Sequence, residues 1–244
     1  MKQGFFTVAG NCALNASVYK MVLQGDTSAV TSAGQFVNIL LDGKFLRRPI
    51  SVCDVNGDTL TLIYKVVGSG TEQMSRMQSG EKLDVLTGLG NGYDLSLSGD
   101  APLLLGGGVG VPPLYLLAKR LIADGKKVSV VLGFNTKEEI FYEQEFKSLG
   151  ASVTVTTADG SYGIKGFVTD ALPERYSYFY TCGPEPMLKA VYKATATSGQ
   201  FSFEERMGCG FGACMGCSCK TVTGYKRICK DGPVLKKEEI LWDV

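Results

Sequence analysis

The sequence predicts an antiparallel β-barrel over residues 1–98, a parallel-sheet α/β domain over 99–200, and a small loop-rich module over 201–244. Three observations predict this. Short apolar segments separated by glycine and polar turns fill the first part. From Ala101 strands alternate with helical patterns, the signature of a parallel sheet covered by helices. Past Ser202 periodicity gives way to dense glycine around Cys209, Cys214, Cys217 and Cys229.

In the first part, strands are expected at residues 5–8, 18–23, 36–41 and 60–66. The last nearly alternates: Leu60, Leu62, Tyr64 and Val66 share one face, and only Ile63 breaks the polar side. Many short strands at this spacing suggest a small barrel. Thr71 is the expected N-cap of a helix running through Gln73 to Met77. In the second part, Leu103-Leu104-Leu105 is an apolar strand, followed by the turn Gly106-Gly107-Gly108-Val109-Gly110. A helix opens at Pro112-Pro113, where proline is preorganised and loses no needed donor, and Leu114, Leu117 and Leu121 form its buried stripe. A strand at 128–132, a helix at 138–149 and strands at 153–155 and 178–180 follow, with ligands expected at the carboxyl ends of the sheet.

Composition excludes several function classes. The 244 residues, 45% of them hydrophobic, can bury a substantial core. With 25 Lys and Arg against 24 Asp and Glu, nothing calls for nucleic acid or an anionic membrane. No apolar run reaches the length of a membrane span, and no apolar signal segment follows Met1, so the cytoplasm is the expected compartment. The chain contains no histidine, which removes Rieske centres, His-based triads and imidazole proton shuttles. Proton-coupled chemistry must therefore come from a cofactor, another side-chain type or another subunit.

The cysteines read C-x4-C-x2-C…C, the plant-type spacing of a 2Fe-2S cluster. Four thiolates must surround two irons, and glycines at 208, 210, 212 and 216 let the backbone wrap closely and aim N–H groups at sulfur. A four-cysteine zinc site is the main rival, although zinc ribbons favour two CxxC knuckles and this chain has one here. A disulfide framework is disfavoured in a reducing compartment. Cys219 competes with Cys217 as a ligand, but using it would turn the x2 interval into x4.

Three further motifs carry chemistry. Arg48-Pro49-Ile50-Ser51 offers a guanidinium for a pyrophosphate and a hydroxyl for a flavin ring nitrogen, and it gains from Gly68-Ser69-Gly70-Thr71 entering the first helix. A surface strand with a salt-bridged arginine is the alternative. Gly108-Val109-Gly110-Val111-Pro112-Pro113 has the strand–turn–helix context of a dinucleotide fingerprint, but Pro113 replaces the third glycine, which suggests a variant family. Thr181-Cys182-Gly183-Pro184-Glu185-Pro186-Met187 closes a strand, where Cys182 looks toward the crevice above the sheet or is simply a buried thiol.

In this order and spacing, Arg48-Pro49-x-Ser51, Gly108-x-Gly110-x-x-Pro113 and Cys182-Gly183-Pro184-x-x-Met187 resemble the ferredoxin–NADP reductase superfamily. Together with Glu204-Glu205-Arg206-Met207-x-Cys209 and Tyr225-Lys226-Arg227-x-Cys229-x-Asp231-Gly232-Pro233-Val234, the chain resembles the electron-transfer subunits of bacterial NAD-dependent dihydroorotate dehydrogenase. The resemblance implies FAD on the barrel, contacted by Arg48, Pro49, Ile50, Ser51, Ile63, Tyr64, Lys65, Gly70 and Thr71. It implies NAD at Gly106, Gly107, Gly108, Gly110 and Pro113 and near Cys182, Gly183 and Pro184, with Cys182 as the catalytic candidate. It further implies a 2Fe-2S cluster on Cys209, Cys214, Cys217 and Cys229, and a separate FMN-containing catalytic subunit in a heterotetramer of two chains each, serving pyrimidine biosynthesis. Cys219 and the short interval before Cys229 depart from the pattern.

Other readings are a subunit of a related complex, such as a sulfhydrogenase or an NADH-dependent ferredoxin–NADP oxidoreductase, a free-standing flavin reductase, and a zinc-stabilised nucleotide-binding module without redox activity. The segment Gly133-Phe134-Asn135-Thr136-Lys137-Glu138-Glu139 has one lysine, two glutamates and no arginine, so NADH is the expected nicotinamide rather than NADPH.

Overall fold

The computed structural model describes residues 1–242. Six antiparallel strands close into a barrel: β1 (Lys2–Ala13), β2 (Val18–Gln24), β3 (Phe36–Leu40), β4 (Arg48–Asn56), β5 (Thr59–Lys65) and β6 (Lys82–Leu89), in the order β1-β2-β5-β4-β3-β6. Alternation explains the closure. In β3, Val37 and Ile39 are fully buried among the barrel's interior residues, whereas Phe36, on the other face, packs into a separate apolar cluster with residues of the α/β domain. Ile63 breaks the expected alternation of β5 because the second face of that strand is covered too: it lines a cavity described below.

Helix α1 (Ser69–Ser75) begins upstream of the expected cap. Its N-cap is Gly68, and Thr71 is the third helical residue. From there the Thr71 hydroxyl accepts the N–H groups of Val67 (2.9 Å) and Gly68 (3.3 Å), satisfying the free donors from inside the helix.

The α/β domain comprises β7 (Leu103–Gly107), α2 (Pro112–Ala123), β8 (Ser129–Phe134), α3 (Glu143–Ser148), β9 (Ser152–Thr157), β10 (Ile164–Lys165), β11 (Phe179–Cys182), α4 (Glu185–Ala194) and β12 (Gly199–Ser202). Leu114, Leu117 and Leu121 of α2 are fully buried, as their spacing requires. The single helix expected over 138–149 is instead a short 3-10 turn, Lys137–Glu139, followed by extended backbone at Ile140 and then α3. Phe141 turns inward to meet Phe134 and Tyr142 to meet Tyr115, which in turn meets Phe146, all edge to face with centroids 5.2 to 5.4 Å apart, and Tyr142 takes a φ of 67° to do so. Burying two consecutive aromatics outweighs continuing the helix.

The sheet extends past residue 200. After β13 (Ser218–Thr221) and β14 (Gly224–Arg227), which form a hairpin, β15 (Val234–Lys236) returns antiparallel to β12, with Ser202 opposite Val234. The full order is β10-β9-β8-β7-β11-β12-β15. Asn91, just past the barrel's last strand, clamps β15: its Nδ2 donates to the Val234 carbonyl (2.8 Å) and its Oδ1 accepts the Val234 N–H (3.1 Å). Barrel and sheet also join through Lys119 and Asp54 (2.9 Å) and through the Tyr93 hydroxyl, which donates to the Thr181 carbonyl (3.3 Å). Among the described residues no helix is long and apolar enough to cross a membrane.

Candidate functional site

Two cavities adjoin where the barrel meets the sheet. The first, about 360 Å³, is lined by Arg48, Pro49, Ile50 and Ser51 from β4, Ile63, Tyr64 and Lys65 from β5, and Thr71 from α1. These are eight of the nine residues expected to hold FAD. The ninth, Gly70, lies beneath Arg48: a Cβ there would run into the guanidinium, so glycine lets Arg48 lie over the start of α1. Tyr64 donates to Asn11 Oδ1 (3.1 Å), and burial pushes its phenol well above the ordinary tyrosine value.

Sequence reasoning did not place Phe36, Val109, Phe203, Glu204, Glu205, Met207 and Pro233 in this cavity. They arrive from β3, from the β7–α2 turn, from the segment after β12 and, for Pro233, from just before β15, and only the fold brings them together. Glu204, Glu205 and Met207 did stand in the motif that carried the resemblance. Glu204 lines the cavity at a solvent-exposed position, and desolvation by the surrounding protein holds its carboxyl above the usual value.

The second cavity, about 550 Å³, lies over the carboxyl ends of β7, β8 and β9 and shares Lys65 and Val109 with the first. Gly107, Gly108 and Pro184 line it, together with Asn135, Glu139, Thr156 and Met187. Gly106, Gly110, Pro113, Cys182 and Gly183 do not line either cavity. A Cβ on Gly110 would strike the Cys182 carbonyl, so this glycine lets the β7–α2 and β11–α4 turns touch. Cys182 is 2% exposed. Burial, then the nearby Glu204 carboxylate, pushes its thiol far above the ordinary value, which disfavours the thiolate form.

The cysteine loop follows directly from the wall of the first cavity, Cys209 standing two residues beyond Met207. Cys209 Sγ accepts N–H groups from Ala213 (3.2 Å) and Cys214 (3.4 Å), Cys214 Sγ accepts from Gly216 (3.5 Å), and Cys217 Sγ accepts from Cys229 (3.4 Å). Burial opposes ionisation of Cys209, but N–H donors of Phe211, Cys214 and Ala213 outweigh it and bring this thiol down to about 6. Burial and the neighbouring Cys217 push Cys229 up to about 12. Among the described residues, no three Cys, Asp or Glu side chains gather closely enough for one ion. The contacts instead pair Cys209 with Cys214 and Cys217 with Cys229. Two thiol pairs with backbone N–H groups aimed at sulfur suit two irons better than one tetrahedral zinc. Cys219 lies on the β13–β14 hairpin opposite Lys226. All eight cysteines are free thiols.

Comparison with known proteins gives consistent matches. A family model described as "Iron-sulfur cluster binding domain of dihydroorotate dehydrogenase B" matches residues 204–241, and one described as "Oxidoreductase NAD-binding domain" matches 104–193. The dihydroorotate dehydrogenase B (NAD(+)) electron transfer subunit of Bacillus pumilus is 44% identical, with 98% of each chain covered. Its Fusobacterium nucleatum counterpart is 45% identical over 96% of each. Among solved structures, the NADH-dependent reduced ferredoxin-NADP oxidoreductase superposes with a TM-score of 0.89 at 31% identity, covering 98% of this chain and 91% of that one. A ferredoxin NADP+ reductase from Neisseria gonorrhoeae shares the fold at 17% identity, with a TM-score of 0.69 and coverage of 80% and 90%.

Proposed function

Because the chain belongs to the family of electron-transfer subunits of dihydroorotate dehydrogenase B (NAD(+)), we propose that it carries electrons between NAD and an FMN-containing catalytic subunit, through FAD and a 2Fe-2S cluster. The observation that carries this reading is the shared walls. Lys65 and Val109 border both cavities, and the segment bearing the cysteines forms one side of the first.

Arg48, resting on Gly70 at the start of α1, neutralises a diphosphate in the first cavity. Ser51 and β5 from Ile63 to Lys65 orient a flavin ring there, while Phe36, Phe203 and Pro233 exclude water. Bound FAD would supply both hydride and single-electron chemistry, whereas the nicotinamide passes hydride only. The turn Gly106 to Gly110, with Pro113 in the first turn of α2, seats the nucleotide in the second cavity beside Pro184. Cys182 and Gly183 act beneath it, packing the two turns together. Glu204 brings to the wall of the first cavity a carboxyl whose affinity for a proton is raised by desolvation, in a chain that has no histidine. Cys209, Cys214, Cys217 and Cys229 hold the irons. The working division is 1–98 for FAD, 99–200 for NAD and 201–244 for the cluster, with β15 returning to the nucleotide sheet.

Both cavities described above are assigned to redox cofactors, and dihydroorotate oxidation is placed on the catalytic subunit, in an assembly of two chains each. The isolated chain should oxidise NADH with an artificial acceptor and form no orotate from dihydroorotate, and adding the FMN subunit should restore orotate formation coupled to NAD reduction. Orotate formation by the chain alone would overturn this reading. Co-purification with a different flavoprotein and none with the FMN subunit would favour a related complex, the reading closest to the 31% identical oxidoreductase.

A further inference from the structure

Directly opposite residues in an antiparallel pair point to the same side of the sheet. In β3 and β4, Phe36 faces Ser51 and Asn38 faces Pro49. Phe36, Pro49 and Ser51 line the first cavity, so Asn38 lies on the same face, immediately beside it. Asn38 is 1% exposed, and the cysteine loop meets it there. Its Nδ2 donates to the carbonyl of Cys209 at 3.1 Å, across 171 positions of sequence. Gly210, at a φ of 78°, packs so tightly on that amide nitrogen that a Cβ would strike it. On the strand's other side, Arg47 donates to the Asn38 carbonyl (3.2 Å) and pairs with Asp84 (3.0 Å), fixing the backbone from which the amide projects.

The amide orientation follows from its partners. Turned over, Oδ1 would face the Cys209 carbonyl, acceptor against acceptor, so Nδ2 must point to the loop. Oδ1 is then left buried with no hydrogen-bond partner among the described residues. A half-satisfied buried amide costs free energy that an apolar side chain of the same size would avoid. What that cost secures is the hold on Cys209.

We propose that Asn38 is a positioning residue for electron transfer, pinning the Cys209 end of the cluster loop to the barrel face that carries Phe36, Pro49 and Ser51. The inference rests on the assignment of FAD to the first cavity and the cluster to the four cysteines. Asn38 forms and breaks no bond: FAD and the cluster, when bound, would supply the single-electron chemistry, and Asn38 would set how the cysteine loop is held against the barrel face.

The test uses the full chain loaded with FAD and cluster, as wild type, Asn38→Leu, Gly210→Ala and the double variant. Anaerobic rapid mixing with NADH resolves flavin reduction from cluster reduction, and electron paramagnetic resonance of the dithionite-reduced cluster reports ligand geometry without turnover. In both single variants, flavin reduction should stay within about twofold of wild type while cluster reduction slows by about tenfold or more. The resonance should shift at unchanged iron and FAD content. The double variant should be no worse than the poorer single one, since both break one contact. An unchanged second step and resonance would overturn the proposal, as would equal slowing of both steps. Loss of iron in Asn38→Leu with a normal second step in Gly210→Ala would also overturn it. A wild type that binds no iron, or whose flavin NADH does not reduce, would instead refute the underlying cofactor assignment.

Discussion

Cys217 and Cys219 stand two residues apart in different surroundings. Cys217 is 3% exposed and accepts the Cys229 N–H, whereas Cys219 is half-buried on a hairpin, where burial and then the Glu205 carboxylate raise its thiol. Cys217→Ser should therefore abolish the cluster, while Cys219→Ser should keep about two irons per chain, as iron analysis and the visible spectrum will show. The reverse pattern would reassign the ligands. A second residue-scale outcome concerns Glu204. A carboxyl whose folded value is raised binds its proton more readily in the native state, so stability falls as pH rises from the unfolded carboxylate range through the raised folded value. Glutamine keeps the shape without titrating. In the flavin-free protein, Glu204→Gln should match wild type below the unfolded value and melt higher near neutrality, in thermal melts between about pH 4 and 8. Coincident curves would mean that cavity water solvates the carboxylate fully.

At the scale of elements, the turn after β8 bears on cofactor choice. Asn135 donates its backbone N–H (3.2 Å) and Nδ2 (2.8 Å) to Glu139 Oε2, holding a carboxylate in the wall of the second cavity. A 2′-phosphate there would meet negative charge with no arginine to balance it, so kcat/KM for NADH should exceed that for NADPH by roughly tenfold or more. Parity of the two constants at equal ionic strength would refute this. Lys137, Glu138 and Glu139 were legible in the sequence, but their conformation was not. The acidic start read as the first turn of a long helix, and the inward packing of Phe141 and Tyr142 replaced it with a 3-10 turn. Strands β12 and β15 escaped pattern reading for a related reason. They are four and three residues long, and in β12 all four residues are buried, Gln200 and Ser202 included, so no alternation marks them. The Gln200 side chain is satisfied by donating to the Asp94 carbonyl (3.0 Å) and the Tyr178 hydroxyl (3.3 Å), partners that only the finished fold supplies. The cavity motifs at Arg48 and Gly108 were readable because each is a continuous run whose spacing carries its meaning. Asn38 was not, because its partner Cys209 lies 171 positions away.

At the scale of the molecule, two apolar clusters, each drawing residues from both barrel and sheet, hold the fold together, and the cysteine loop is tied at both ends by the pairing of β12 with β15. Protein stripped of iron should accordingly keep its FAD affinity within a few-fold and its main melting transition. Hydrogen exchange should rise across 204–230 while amides of β12 and β15 remain protected. Global unfolding on chelation would show that the metal holds the fold itself. The clamp of Asn91 on Val234 extends the same logic to the life of the protein in a cell. A segment fastened at both ends has already given up most of the wandering that an untethered tail would have to surrender when it closes around metal. Damage by oxidants that strips the irons thus leaves an empty cradle in place and no loose end for proteases to seize. Repair becomes a refilling on a standing scaffold, with no need for a newly made chain.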